Sequence, residues 1–227
     1  MNLSSRLQAV INMLDLSGPV ADIGTDHAYL PIYLARQTDC SQIIASEYTE
    51  APYQVAVEQI KKAKAEDKVE LRKGFGLSVL NKKEVEEIII AGMGGFTIQE
   101  IIAGQLSIAQ AADKLVLQPM SGLSELRSWL VDNGFTIIDE QLAKEEDKLY
   151  QVWWVRAGEM ELDDPFLLAV GPKLIEKKDP LLLEFLTQLE DEWQQIVKQL
   201  KLHRPESSRL SQLQQKLNRL REVKRCL

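Results

Sequence analysis

Short, uninterrupted runs of Ile, Val and Leu alternate with helical stretches through most of this 227-residue chain, and that alternation limits its fold more than any other feature. Strand segments are predicted at Val20–Ile23, Gln42–Ser46, Val69–Leu71, Glu87–Ala91 and Lys114–Leu117. Helical spacing is predicted over 3–16, from Pro31 onward, and over 52–65, 97–105 and 124–132. Strands this apolar, each separated from the next by a helix, belong to a parallel sheet covered on both faces.

Two further strand patterns, 135–142 and 149–155, leave only Ala143–Lys148 between them. Six residues are too few for a crossover helix, so this pair is an antiparallel hairpin. Five parallel strands closed by such a hairpin form the layout of Rossmann-like class I methyltransferases, and most nicotinamide-binding domains lack it. The expected fold class is therefore α/β, with residues 1–158 as the sheet domain. Trp153 and Trp154 alternate on the last strand, one to each face, where sheet packing accounts for both.

After Gly158 the pattern changes. Asp163-Asp164-Pro165 and Gly171-Pro172 read as a connecting segment, and Asp179-Pro180 as a capped helix start. Leu182, Leu186, Leu189, Trp193, Ile196 and Leu200 then step by three and four, as do Leu210, Leu213, Leu217 and Leu220 beyond His203-Arg204-Pro205. Residues 159–227 are expected to be a linker and an antiparallel coiled-coil hairpin, with two helices folded back on the main domain as the alternative.

Charge separates the same two regions. The chain carries −7 overall, but residues 198–227 hold nine Lys or Arg against two acids, while the rest holds 18 basic and 32 acidic residues. A polyanion would be repelled by the body and drawn to the tail. Cys40 and Cys226 lie far apart without CxxC spacing, and the only histidines are His27 and His203, so no metal centre and no disulfide framework is expected. No apolar run is long enough for a bilayer and the N-terminus lacks a leader pattern, so a cytoplasmic location is expected, and no membrane partner. No sequence feature fixes the oligomeric state; a monomer is expected.

The candidate chemistry gathers at the carboxyl ends of the strands. Asp22-Ile23-Gly24-Thr25-Asp26-His27-Ala28 follows the first strand, and Asp26 occupies the place of the second glycine of a dinucleotide fingerprint. That carboxylate repels a pyrophosphate and favours a ligand with cationic groups, such as S-adenosylmethionine with its ammonium and sulfonium. Glu47 ends the second strand 23 residues after Gly24, the position from which an acid accepts ribose hydroxyls. Gly74-Phe75 follows strand three at the adenine side, and Gly92-Met93-Gly94-Gly95 follows strand four, implying backbone pressed against cofactor or substrate. Gln118-Pro119-Met120 follows strand five on the same rim, and Tyr29 flanks the first loop.

The segments Asp22–Pro31, Ile90–Gly95 and Leu117–Pro119 resemble the bacterial tRNA (adenine-22-N1)-methyltransferase family, and the similarity extends over nearly the whole chain. The resemblance implies S-adenosyl-L-methionine as methyl donor and N1 of an adenine in tRNA as acceptor. From their places at the strand ends, Asp22, Gly24, Thr25, Asp26, His27, Glu47, Gly74, Phe75, Gly92 and Met93 are expected to hold the cofactor. Tyr29, Gly94, Gln118, Lys216, Arg219 and Arg221 are expected to hold the RNA, and Asp26 and His27 to be catalytic. The competing readings are a methyltransferase of another RNA base or a protein, a nicotinamide-dependent oxidoreductase, and a non-catalytic RNA-binding module.

Overall fold

The computed structural model describes residues 3–227; Met1 and Asn2, part of the segment judged against a leader, lie outside them. The chain divides into two compact units, Met1–Glu161 and Leu162–Leu227.

In the first unit the strands β1 (Val20–Ile23), β2 (Ile43–Glu47), β3 (Val69–Lys73), β4 (Glu87–Met93), β5 (Lys114–Pro119), β6 (Phe135–Glu145) and β7 (Lys148–Ala157) form one sheet. Its order is β3-β2-β1-β4-β5-β7-β6. The first five strands are parallel, while β7 runs antiparallel to both β5 and β6. Every residue of β1 and β5 is buried, as the continuous apolar runs require of a sheet covered on both faces. The fold is the Rossmann-like methyltransferase layout.

Helices α1 (Ser5–Asn12), α2 (Tyr29–Gln37), α3 (Glu50–Ala63), α4 (Gly95–Gly104), α5 (Leu106–Ala109) and α6 (Leu123–Asp132) complete the unit, with a 3-10 turn at Gly76–Val79. α1 stops at Asn12 instead of continuing to 16 because a buried acid redirects the backbone. Glu87 accepts the N–H groups of Asp15 at 2.9 Å and Leu16 at 2.8 Å, and Leu16 takes a left-handed conformation with φ of 56°. The hairpin turn is also shorter than expected. Strand pairing reaches Glu145 and Lys148, leaving Glu146 with φ of 54° and Asp147 to make the reversal. β4 runs on through Gly92 and Met93, and its register with β5 shifts between Ala91 and Met93.

Two polar clusters staple the sheet. Fully buried Arg127 on α6 donates to Glu140 on β6 at 2.8 Å, also donates to Gln151, and lies 4.2 Å from the Trp153 ring centre. On the other side of β7, Lys114 sits 4.1 Å over the Trp154 ring, pairs with Asp15 at 2.8 Å and donates to the Met13 carbonyl at 2.9 Å. Both tryptophans are thus taken up by sheet packing.

The second unit contains α7 (Pro165–Val170), α8 (Pro172–Glu176), α9 (Leu182–His203) and α10 (Ser208–Arg225). α7 and α8 replace the expected linker. Asp164 caps α7 by accepting the Phe166 N–H at 2.8 Å. At Asp179-Pro180 the expected helix start moves two residues on. Asp179 accepts from Leu181 N at 2.9 Å in a turn, and α9 begins at Leu182. α9 and α10 pack as an antiparallel pair, since Glu190 meets Arg221 and Lys224 while Trp193 lies beside Lys216. Leu182, Leu186, Trp193, Leu217 and Leu220 are the buried positions, all of them on the two heptad-spaced seams.

Candidate functional site

The loop after β1 holds three left-handed residues in five: Gly24 at φ 73°, Asp26 at 49° and Ala28 at 55°. Gly24 N and Thr25 N both donate to the Ser46 carbonyl, at 2.9 and 2.8 Å, folding the loop against the end of β2. A side chain at Gly24 would be strained by that φ and would meet the Met93 methyl, which lies directly over it. Glu47 completes the loop's frame. Its carboxylate accepts from Tyr48 N at 2.9 Å, Thr49 N at 2.8 Å and Asp26 N at 3.3 Å.

A crevice of about 230 Å³ opens over this loop, walled by Asp22, Gly24, Thr25, Asp26, His27 and Tyr29, by Ala91 to Met93, by Leu30, and by Arg6 and Leu7 from α1. Asp22 is 4% exposed and has no cation within ion-pair distance among the described residues. Burial pushes its carboxyl up to about 6, the Thr25 hydroxyl beside it draws it part of the way down, and the Glu47 charge raises it. Thr25 Oγ1 is buried beside the Asp22 carboxyl. Asp26 and His27 are open to solvent, with Asp26 Oδ2 3.6 Å from His27 Nε2. The His27 ring stacks on Tyr29 at 5.4 Å between centroids and 26° between planes.

The other expected ligand positions have these neighbours within the chain. Gly95 is pressed against backbone: a Cβ there would meet the carbonyl oxygens of Ser121 and Gly122 at 2.7 Å, and Gly95 N donates to Ser121 O at 2.8 Å. The nearest neighbour of a Cβ at Gly94 is likewise Ser121 Oγ, at 3.3 Å. Gln118 is fully buried; its Oε1 accepts from Arg6 Nη1 at 2.6 Å and Gly92 N at 3.0 Å, and its Nε2 donates to the Pro119 carbonyl at 3.1 Å. It shapes the rim where direct contact with substrate is expected of it. Gly74 and Phe75 lie past the end of β3 outside the crevice, and Phe75 is exposed and edge-on to Tyr48 at 5.6 Å.

In the second unit the three expected RNA contacts differ. Lys216 lies 5.9 Å from the Trp193 ring centre, and Arg221 pairs with Glu190 at 2.7 Å, whereas Arg219 is exposed. Lys198 and Lys201 of α9, with Gln194, Gln214 and Asn218, line a groove of about 650 Å³ along the helix pair. Arg6, Leu7 and Leu30 line the crevice and were missed by the sequence reading; their one signal is position, on the helices that flank the first strand and outside any motif.

The residues fit S-adenosyl-L-methionine. A buried carboxylate without a counter-cation among the described residues and an exposed one in the same crevice suit a ligand bearing an ammonium and a sulfonium. Among the described residues no three His, Cys, Asp or Glu gather as a metal site requires, and no helix is long and apolar enough to cross a membrane.

Comparison with known proteins gives a consistent result. The family model described as tRNA (adenine(22)-N(1))-methyltransferase matches residues 20–222. The tRNA (adenine(22)-N(1))-methyltransferase of Bacillus subtilis is 35% identical over 205 residues, spanning 88% of this chain and 86% of that one. The crystal structure of Streptococcus pneumoniae Sp1610 superposes with a TM-score of 0.90 at 30% identity, covering 98% of this chain and all of the other. The same protein in complex with S-adenosyl-L-methionine gives 0.82 at 31% identity, covering 98% and 100%.

Proposed function

The chain belongs to the tRNA (adenine(22)-N(1))-methyltransferase family, and from that premise we propose how its own residues carry the reaction. It is an S-adenosyl-L-methionine-dependent methyltransferase that modifies N1 of adenine 22 in tRNA. The observation that carries the site assignment is Asp22, a buried carboxylate without a cation at the mouth of β1. The ammonium of the methionyl group supplies the missing charge. Glu47 accepts from the ribose with the lone pairs its three backbone contacts leave free.

S-adenosylmethionine supplies a sulfonium methyl, which adenine N1 takes through its free lone pair without prior loss of a proton. The chain therefore needs no strong base, and its work is alignment and charge. Asp26 faces the positive charge that passes onto the base. The stacked His27–Tyr29 pair offers a flat wall for an unpaired adenine, as single-stranded RNA recognition uses. Because N1 lies on the Watson–Crick edge, the base must be presented unpaired.

The tRNA body is held by cations of α9 and α10. Lys198, Lys201 and Arg219 are exposed and make no ion pair among the described residues, so they meet phosphate, and Arg221 lines the same groove as Lys198 and Lys201 while paired with Glu190. The enzyme works in the cytoplasm, where its substrate is made. Incubation with labelled cofactor and a tRNA transcript, followed by mass spectrometry of the nucleosides, is expected to give 1-methyladenosine at position 22. Label in protein, or at another base, overturns the assignment.

A further inference from the structure

Among the described residues, the sheet unit leaves five large apolar side chains exposed, and all of them stand at the carboxyl edge: Tyr29, Tyr48, Phe75, Phe96 and Met120. Each follows a different parallel strand, so across the sheet they run Phe75, Tyr48, Tyr29, Phe96, Met120. Scattered singly, such residues need no explanation; one on every strand end of a single edge makes a patch. Three of them are engaged within the chain, since Tyr48 meets Phe75 edge-on and Tyr29 stacks on His27. Phe96 is 69% exposed and pairs with no other ring among the described residues, and Met120 is 46% exposed. Neither lines the cofactor crevice. Phe96 lies in the first turn of α4, off the face that buries Gly95, Ile98, Ile101 and Ile102.

The mounting of these two side chains is stiff. Met120 N donates to the Met93 carbonyl and Gly95 N to the Ser121 carbonyl, both at 2.8 Å, which ties the turn after β4 to the turn after β5. With no room for a Cβ at Gly95, the backbone just before Phe96 is held against the other turn. Resting on the tRNA reading above, we propose that Phe96, with Met120 on the joined turn, is a wedge that enters the base stack of the tRNA at the place adenine 22 leaves. Methylation at N1 needs that adenine unpaired and drawn into the crevice, and a base that leaves its stack uncovers the apolar faces of its neighbours. An apolar side chain on a fixed turn fills such a gap. Outside the tail the chain has 18 basic and 32 acidic residues and repels phosphate, but the face of a base carries no net charge. β1 and β4 are neighbours in the sheet, so the His27–Tyr29 wall that receives the adenine and the side chain that replaces it come from adjacent strand ends.

A tRNA transcript with 2-aminopurine at position 22 reads this step, because that base brightens when it leaves the stack. Saturating unmodified enzyme is expected to raise the fluorescence, and Phe96→Ala to lose most of the rise while still binding the tRNA. Turnover of Phe96→Ala on the ordinary transcript is expected to fall about 10- to 100-fold, the range of one base–aromatic contact, with melting temperature and S-adenosylmethionine affinity unchanged. Phe96→Leu, an apolar wedge without a ring, should recover most of both signals. On a transcript made abasic at the nucleotide facing adenine 22, the deficit of Phe96→Ala should shrink severalfold, because no partner then holds the adenine in place. A full fluorescence rise with Phe96→Ala, or the same deficit on both transcripts, overturns the wedge. Weakened cofactor binding by Phe96→Ala overturns it as well, by placing the residue in the cofactor site. If the unmodified enzyme methylates no adenine in tRNA, it is the tRNA reading that fails, which keeps the two failures apart.

Discussion

Three carboxylates are buried in the sheet unit, and they are treated differently. Glu140 is fully buried against Arg127 on α6, and Glu87 is satisfied by two backbone N–H groups and by Lys114 at 3.7 Å. Asp22 has neither arrangement. The first two lie where the chain staples itself together, at the antiparallel end of the sheet and beneath α1. The third lies at the carboxyl edge, just before a loop of left-handed residues. A folded chain that leaves one buried charge uncompensated among several compensated ones has left room for a partner that supplies the charge. The proposed cofactor site rests on that contrast more than on any motif.

The comparison breaks most visibly on the compensated side. Arg127→Ala strands Glu140 without its cation, and unfolding in urea should show a loss of about 3–5 kcal/mol; a loss under 1 kcal/mol would mean that the staple is not structural. Asp22→Asn should act in the opposite direction. A folded-state value near 6 against 3.8 means that the folded chain binds the extra proton between those two values, so stability falls as pH rises through that window. At pH 8 the substitution should therefore stabilise the free enzyme by up to about 3 kcal/mol, flatten that pH dependence, and weaken S-adenosylmethionine binding at least tenfold. Cofactor affinity of the unsubstituted enzyme should fall as pH drops below 6, because the ammonium needs the ionised carboxyl. Melting curves at pH 5 and 8, with and without cofactor, read all of these.

A third variant sharpens the distinction between the buried and the exposed acid. Asp26→Asn suits the left-handed backbone at φ 49° and should change cofactor affinity by less than tenfold, about 1.4 kcal/mol, while turnover falls much further. Equal losses would make Asp26 a cofactor ligand. The smallest effect belongs to the hairpin. Reversing Lys198 and Lys201 should lower the slope of log affinity for tRNA against log salt by about 1 to 2 without altering the fold. Arg221→Glu should instead destabilise the helix pair by removing the Glu190 contact.

What the sequence made legible follows from the physics of each signal. The parallel core could be read because strands buried on both faces have no alternative to Ile, Val and Leu. Its carboxyl-edge crevice followed from topology. Proline signals were less dependable. Asp164-Pro165 caps a helix and Asp179-Pro180 makes a turn before one, although the dipeptides are the same, because packing of Phe166 near Trp193 stabilises the first helix. Gly95 and Gln118 look like ligand contacts in sequence, yet a glycine against another backbone and an amide against its own rim carry the same letters. Arg6 was out of reach for a different reason: only tertiary structure brings α1 to a loop formed twenty residues later.

The strand order also has a consequence for synthesis. β6 leaves the ribosome before β7, but its only partner in the sheet is β7, which also closes the free edge of β5. A nascent chain that ends before Lys148 therefore exposes one open parallel edge and one unpaired strand, the combination most prone to join a neighbouring chain. Ten residues, Lys148–Ala157, close both at once.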